Sequence, residues 1–89
     1  MNDVYGIAAF RSRQQVLRME ERLRQMGVPT EIVNTPRAVA VGCGLSVRFP
    51  EEYLAAVQRL VRAERPAGLI GLYALDAGGV RPQVRLWTQ

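Results

Sequence analysis

Two stripes of apolar residues at helical spacing constrain this chain more than any other feature. Val16, Met19, Leu23 and Met26 form the first, and Leu54, Val57, Leu60 and Val61 the second. Recurrence at three and four residues places each set on one face of an α-helix. Such a face is stable only when laid on another apolar layer. The material for that layer flanks the stripes. Residues 4–10 (VYGIAAF), 30–33, 45–49 (LSVRF) and 69–75 (LIGLYAL) are short apolar or alternating runs of strand length.

With 89 residues there is room for one core. The order strand-helix-strand-strand-helix-strand predicts an α+β domain of ferredoxin-like type, with two helices on one face of a four-stranded antiparallel sheet. Residues 1–75 make up that domain. Residues 76–89 read as a C-terminal extension, with a turn at Asp76–Gly79 and then an extra edge strand or tail over Val80–Trp87. Pro82 confines any such strand to an edge.

Local signals set the boundaries. Ser12 with Gln15 three residues later is a capping-box pattern, so the first helix spans 13–26 and ends at Gly27. Pro50, Glu51 and Glu52 suit the start of the second helix; Arg59, Arg62 and Arg65 suit its end, and Pro66 and Gly68 close it. In Leu45–Phe49, alternation puts Leu45, Val47 and Phe49 toward the core and Arg48 away from it. Residues 38–45 (AVAVGCGL) fit either a strand or a buried loop broken by Gly42 and Gly44.

Composition removes several classes of chemistry. One cysteine and no histidine exclude an intrachain disulfide, a Cys/His zinc site and every Ser-His or Cys-His pair. No metal and no cofactor is expected. No apolar run reaches the roughly 18 residues of a membrane helix. The start of the chain has no secretory pattern, and a lone thiol suits a reducing cytoplasm. The net charge is +4 and every basic residue is arginine, which implies weak attraction for anions but no particular activity.

Cys43 is the residue best suited to chemistry. It stands between Gly42 and Gly44, which withhold side-chain cover and permit unusual backbone angles. A free thiol with a pKa of about 8.5 is only a few per cent thiolate at pH 7, and a nearby positive charge raises that fraction. Arg37 and Arg48 are the candidate charge partners. A structural cysteine packed as a small hydrophobe is the alternative reading of the same residue.

The run Asn34-Thr35-Pro36-Arg37, then Cys43-Gly44, then Leu45-Ser46-Val47-Arg48-Phe49 resembles the selenium/sulfur (Se/S) carrier protein-like family. The strand ending at Phe10, the helix containing Glu20 and the strand around Gly71-Leu72-Tyr73 are similar too. The resemblance implies a non-enzymatic carrier that holds a persulfide or perselenide on Cys43, with Pro36, Gly42 and Gly44 shaping the loop. It also implies a cysteine desulfurase or other sulfur or selenium donor, and an acceptor protein. The family's serines before Cys-Gly are replaced here by Ala40, Val41 and Gly42, and Asn34 stands where proline is frequent. A serine at those positions would donate a hydrogen bond to a thiolate.

The rival reading is a ligand-binding or homo-oligomeric module with a structural cysteine, pairing through the sheet or the C-terminal tail. Nucleic-acid binding fits poorly. A base-stacking sheet needs several aromatics on its free face, and of Tyr5, Phe10 and Phe49 the last points to the core. Phe10-Arg11-Ser12 supplies an arginine without the glycine-rich anion loop of an acylphosphatase-type hydrolase.

Overall fold

The computed structural model describes residues 4–37, 39, 44–79 and 83–87. Its elements are β1 (Val4–Phe10), α1 (Arg13–Gln25), β2 (Glu31–Asn34), β3 (Leu45–Pro50), a 3₁₀ turn (Glu51–Tyr53), α2 (Leu54–Glu64), β4 (Leu69–Asp76) and β5 (Gln83–Leu86). All strand pairs are antiparallel, in a five-stranded sheet of order β2-β3-β1-β4-β5. The four expected strands are present, and of the two readings of the extension the extra edge strand is the one observed, as β5 outside β4. Pro82 lies outside the described residues.

The order follows from the helices. β1 and β2 run parallel, both antiparallel to the β3 between them, so α1 crosses over β3. β3 and β4 are likewise parallel with β1 between them, and α2 makes the second crossover. Parallel strands cannot be joined by a tight turn, and a helix supplies the span.

The core lies between the helices and one sheet face. Ala8, Phe10, Val47, Phe49, Leu72 and Ala74 pack there against Val16, Met19, Leu23, Leu54, Val57 and Leu60. Leu45 joins from the rim of the cluster, as alternation predicts. Phe49 lies across from Gly6, and a Cβ on that glycine would sit 2.5 Å from the ring. Only hydrogen at Gly6 lets the ring lie flat on β1. Ile7, Ala9 and Ser46 point away from the helices and are nevertheless fully buried.

The helix ends differ from the expected ones. The Ser12 side chain accepts from the Gln15 N–H at 3.3 Å, but Gln15 Oε1 has no partner, so the return half of the capping box does not form. α1 ends one residue early, and Gly27 follows it at φ 82°. The second helix begins as a 3₁₀ turn, and its left-handed cap is Arg65 at φ 45°, in place of the expected stop at Pro66 and Gly68. That conformation costs about 1–2 kcal/mol in a residue with a Cβ. β2 lies one residue later than expected, because Glu31 pairs with Arg48 and Asn34 with Leu45.

β5 is held at its end by Trp87. The Trp87 N–H donates to Leu72 O at 2.9 Å, and its indole Nε1–H donates to Gln58 Oε1 of α2 at 3.3 Å. The ring packs on the edge of the core. No helix among the described residues is long and apolar enough to cross a membrane.

Candidate functional site

The β2–β3 connection carries the cysteine, and described residues close both of its ends. Thr35 N–H donates to Gly44 O at 2.9 Å, extending the ladder one step beyond Asn34 and Leu45. Thr35 Oγ1 and Ser46 Oγ lie 2.7 Å apart as a buried hydroxyl pair. A Cβ on Gly44 would be 3.2 Å from Thr35 Oγ1 and 3.9 Å from the Phe10 carbonyl. Pro36 and Arg37 begin the loop, and Val39 N–H donates to Pro36 O at 2.9 Å, which makes a turn there. Gly42 and Cys43 lie outside the described residues, two positions and one position before this closure. Of residues 38–45 the structure describes Val39, Gly44 and Leu45: β3 starts at Leu45, and the other two stand outside it.

Topology defines what shares this end of the sheet. Phe10 pairs with Leu45, and Leu69 pairs with Phe10. Hence the ends of β1 and β2, the starts of β3 and β4, the N-terminus of α1 and the C-terminus of α2 stand together. Arg11, Arg13, Arg37 and Arg65 belong to these segments and are exposed. None forms an ion pair with a described carboxylate. Arg11 N–H donates to Gly68 O at 2.8 Å, tying the end of β1 to the approach of β4. The N-terminal pole of α1 adds partial positive charge.

Arg37 and Arg48 are not brought together. Arg48 Nη2 donates to both Glu31 carboxylate oxygens, at 2.6 and 2.9 Å. Its guanidinium carbon is 4.6 Å from the centre of the Tyr5 ring. Tyr5 pairs with Pro50, so Arg48 leans toward the end of β3 opposite Gly44. A guanidinium so held joins β1, β2 and β3. Arg37 stands in the loop itself, without such partners among the described residues.

Sequence reasoning missed Arg11, Thr35 and Ser46. Arg11 lies far from Cys43 along the chain, and only the β1–β3 register brings it to the same end. Thr35 and Ser46 look like ordinary turn and strand residues until pairing aligns them. A signal was available for Ser46: it alternates with Val47, so a small polar residue had to face away from the helices.

A cleft of about 250 Å³ runs between α1 and the end of α2, bounded by Gln15, Met19, Arg22, Glu64 and Pro66. One of about 130 Å³ is bounded by Tyr5, Pro29, Glu31, Arg48 and Pro50, at the opposite end. Phe10 and Phe49 are both in the core, which removes two of the three aromatics a base-stacking face would use. No group of potential metal ligands occurs among the described residues.

The profile of the family described as "Putative Se/S carrier protein-like" matches residues 5–68, more than half of the chain. It spans β1 through α2 and both ends of the cysteine loop. No curated protein and no solved structure matched the chain.

Proposed function

The chain belongs to the Se/S carrier protein-like family, and from that premise we propose that it holds a sulfane sulfur or selenium atom on Cys43 and passes it on without catalysing further chemistry. The observation that supports this reading most is the position of the loop. It joins two sheet strands at an end lined by Arg11, Arg13, Arg37 and Arg65 and bounded by the α1 N-terminus.

The exchange needs one thiol. The Cys43 thiolate attacks the outer sulfur of a donor persulfide, R–S–SH. The new S–S bond forms as the donor's S–S bond breaks, giving Cys43–S–SH and R–S⁻. Delivery repeats the exchange: an acceptor nucleophile takes the outer sulfur and Cys43 leaves as thiolate. No net oxidant or reductant is consumed, and no resolving cysteine is required. Selenium follows the same course as the perselenide. A cysteine desulfurase supplies a persulfide of this kind, and an acceptor protein consumes it, in the cytoplasm.

In this reading Arg37 and Arg11 supply the positive field at the sulfur. Pro36 and Gly44 fix the loop ends, Gly42 gives backbone freedom beside the thiol, and Arg48 joins strands at the far end. We also read β1–β4 with α1 and α2 as a ferredoxin-like core to which β5 is appended. The two crossovers and the inner position of β1 and β3 support that reading.

The test is intact mass after incubation with a cysteine desulfurase and cysteine. The wild-type chain gains the mass of one sulfur atom, reversibly on adding a thiol reductant. Cys43→Ser gains none. Equal uptake by that variant sinks the proposal.

A further inference from the structure

The cleft between α1 and the end of α2 is bordered by acceptors without donors and by a cation without an anion. Gln15, Arg18, Met19 and Arg22 recur at three and four residues along α1, so they share one face. The left-handed turn at Arg65 ends α2, and Pro66 and Ala67 bound the other side. The volume is about 250 Å³, below the roughly 300–1,000 Å³ of pockets that take drug-sized ligands. A smaller molecule suits it.

The polar groups of the cleft are incompletely used. Gln15 Oε1 is buried and has no hydrogen-bond partner among the described residues. It rests against Gly68, and the broad terminal torsion of an amide side chain lets it turn into the cleft at little cost. Glu64 holds Arg22 through Oε2 alone, to Nε at 2.9 Å and to Nη2 at 2.8 Å. Its Oε1 accepts from no described residue. Arg18 is exposed and forms no ion pair with a described carboxylate. Met19, Pro66 and Ala67 supply apolar surface.

We propose that this cleft binds a free α-amino acid with an apolar side chain. An ammonium group carries three donors, which serve Gln15 Oε1 and Glu64 Oε1. The carboxylate pairs with Arg18, whose planar fork matches two oxygens. The side chain lies against Met19, Pro66 and Ala67. A simple anion would leave both acceptors unmet, and a simple amine would leave Arg18 unpaired. A zwitterion answers both signs within one small volume. The inference does not rest on the carrier reading, because no group of the cysteine loop takes part.

The experiment follows the amide chemical shifts of the full chain as L-leucine is added. Saturable shifts are expected over residues 15–22 and 64–68, which border the cleft. L-leucinamide lacks the carboxylate and N-acetyl-L-leucine lacks the ammonium. Each binds about tenfold more weakly than L-leucine, the effect of losing a hydrogen bond to a charged group. Glycine, without a side chain, also binds more weakly. Arg18→Ala weakens L-leucine binding by about tenfold and leaves L-leucinamide unchanged. Gln15→Met keeps the chain length but removes the acceptor, so it weakens L-leucine and leaves N-acetyl-L-leucine unchanged. Circular dichroism checks both variants, and the exposed Arg18 carries the test if Gln15→Met does not fold. Absence of saturable shifts in these two segments overturns the inference. Equal affinity for L-leucine and its two blocked forms overturns it as well.

Discussion

At the residue scale, Gly6 under the Phe49 ring is the tightest requirement in the sheet. A methyl group there would stand 2.5 Å from a ring carbon, and the ring is enclosed by the core. Gly6→Ala is expected to destabilise the protein by about 1–3 kcal/mol through overpacking, despite alanine's lower unfolded-state entropy. Urea unfolding followed by circular dichroism measures it; a midpoint equal to wild type would show that the ring moves aside freely. Alternation alone places Phe49 inward and Arg48 outward, so their faces were legible in the sequence. The partners were not. Glu31 and Tyr5 are distant in the chain from Arg48, and only strand register brings them to it. The same limit hid the Thr35–Ser46 pair, since two hydroxyl residues eleven positions apart carry no sign of mutual contact.

At the element scale, the C-terminal strand is fixed less by its own four residues than by Trp87 beyond them. β5 is an edge strand whose side chains are exposed or half-buried. Its anchor is the indole, which packs on the core and donates to Gln58, itself only 8% exposed. Trp87→Ala removes that packing and leaves a buried amide oxygen without its donor. A loss of about 2 kcal/mol follows, with Trp87→Phe losing less because the ring contact survives. Thermal unfolding by circular dichroism separates the two, and equal losses would assign the whole effect to the hydrogen bond. Helix existence was legible from the apolar stripes, since burying such a face is what makes a short helix stable. Helix ends were less so. The sequence pointed to Pro66 and Gly68, whereas the chain turns at Arg65 in a left-handed conformation that side chains other than glycine seldom adopt. The fifth strand was legible as one of two readings of the run ending at Trp87, an edge strand or a tail.

At the scale of the whole molecule, charge is separated along the strands. Arg11, Arg13, Arg37 and Arg65 stand at the cysteine end with Glu64, which Arg22 neutralises, while Glu31, Glu51, Glu52 and Asp76 stand at the other, with Arg48 and Arg85 among them. Net charge was legible in the composition, but its arrangement was not, because the arginines that meet at one end come from three separate stretches of the chain. A field of this kind acts on the approach of a charged donor more than on the bond that forms. Sulfur uptake from an acidic donor protein is therefore expected to slow on the order of tenfold as salt rises from low to several times physiological, since the Debye length shortens below about 8 Å. Arg37→Glu should give a similar slowing at low salt and flatten the salt dependence. Steering and thiol activation are told apart by a neutral reagent. Iodoacetamide has no charge to steer, so its rate with wild type should be nearly insensitive to salt while uptake falls. If alkylation and uptake decline together in proportion, the arginines act only through the sulfur, and the steering expected here is absent.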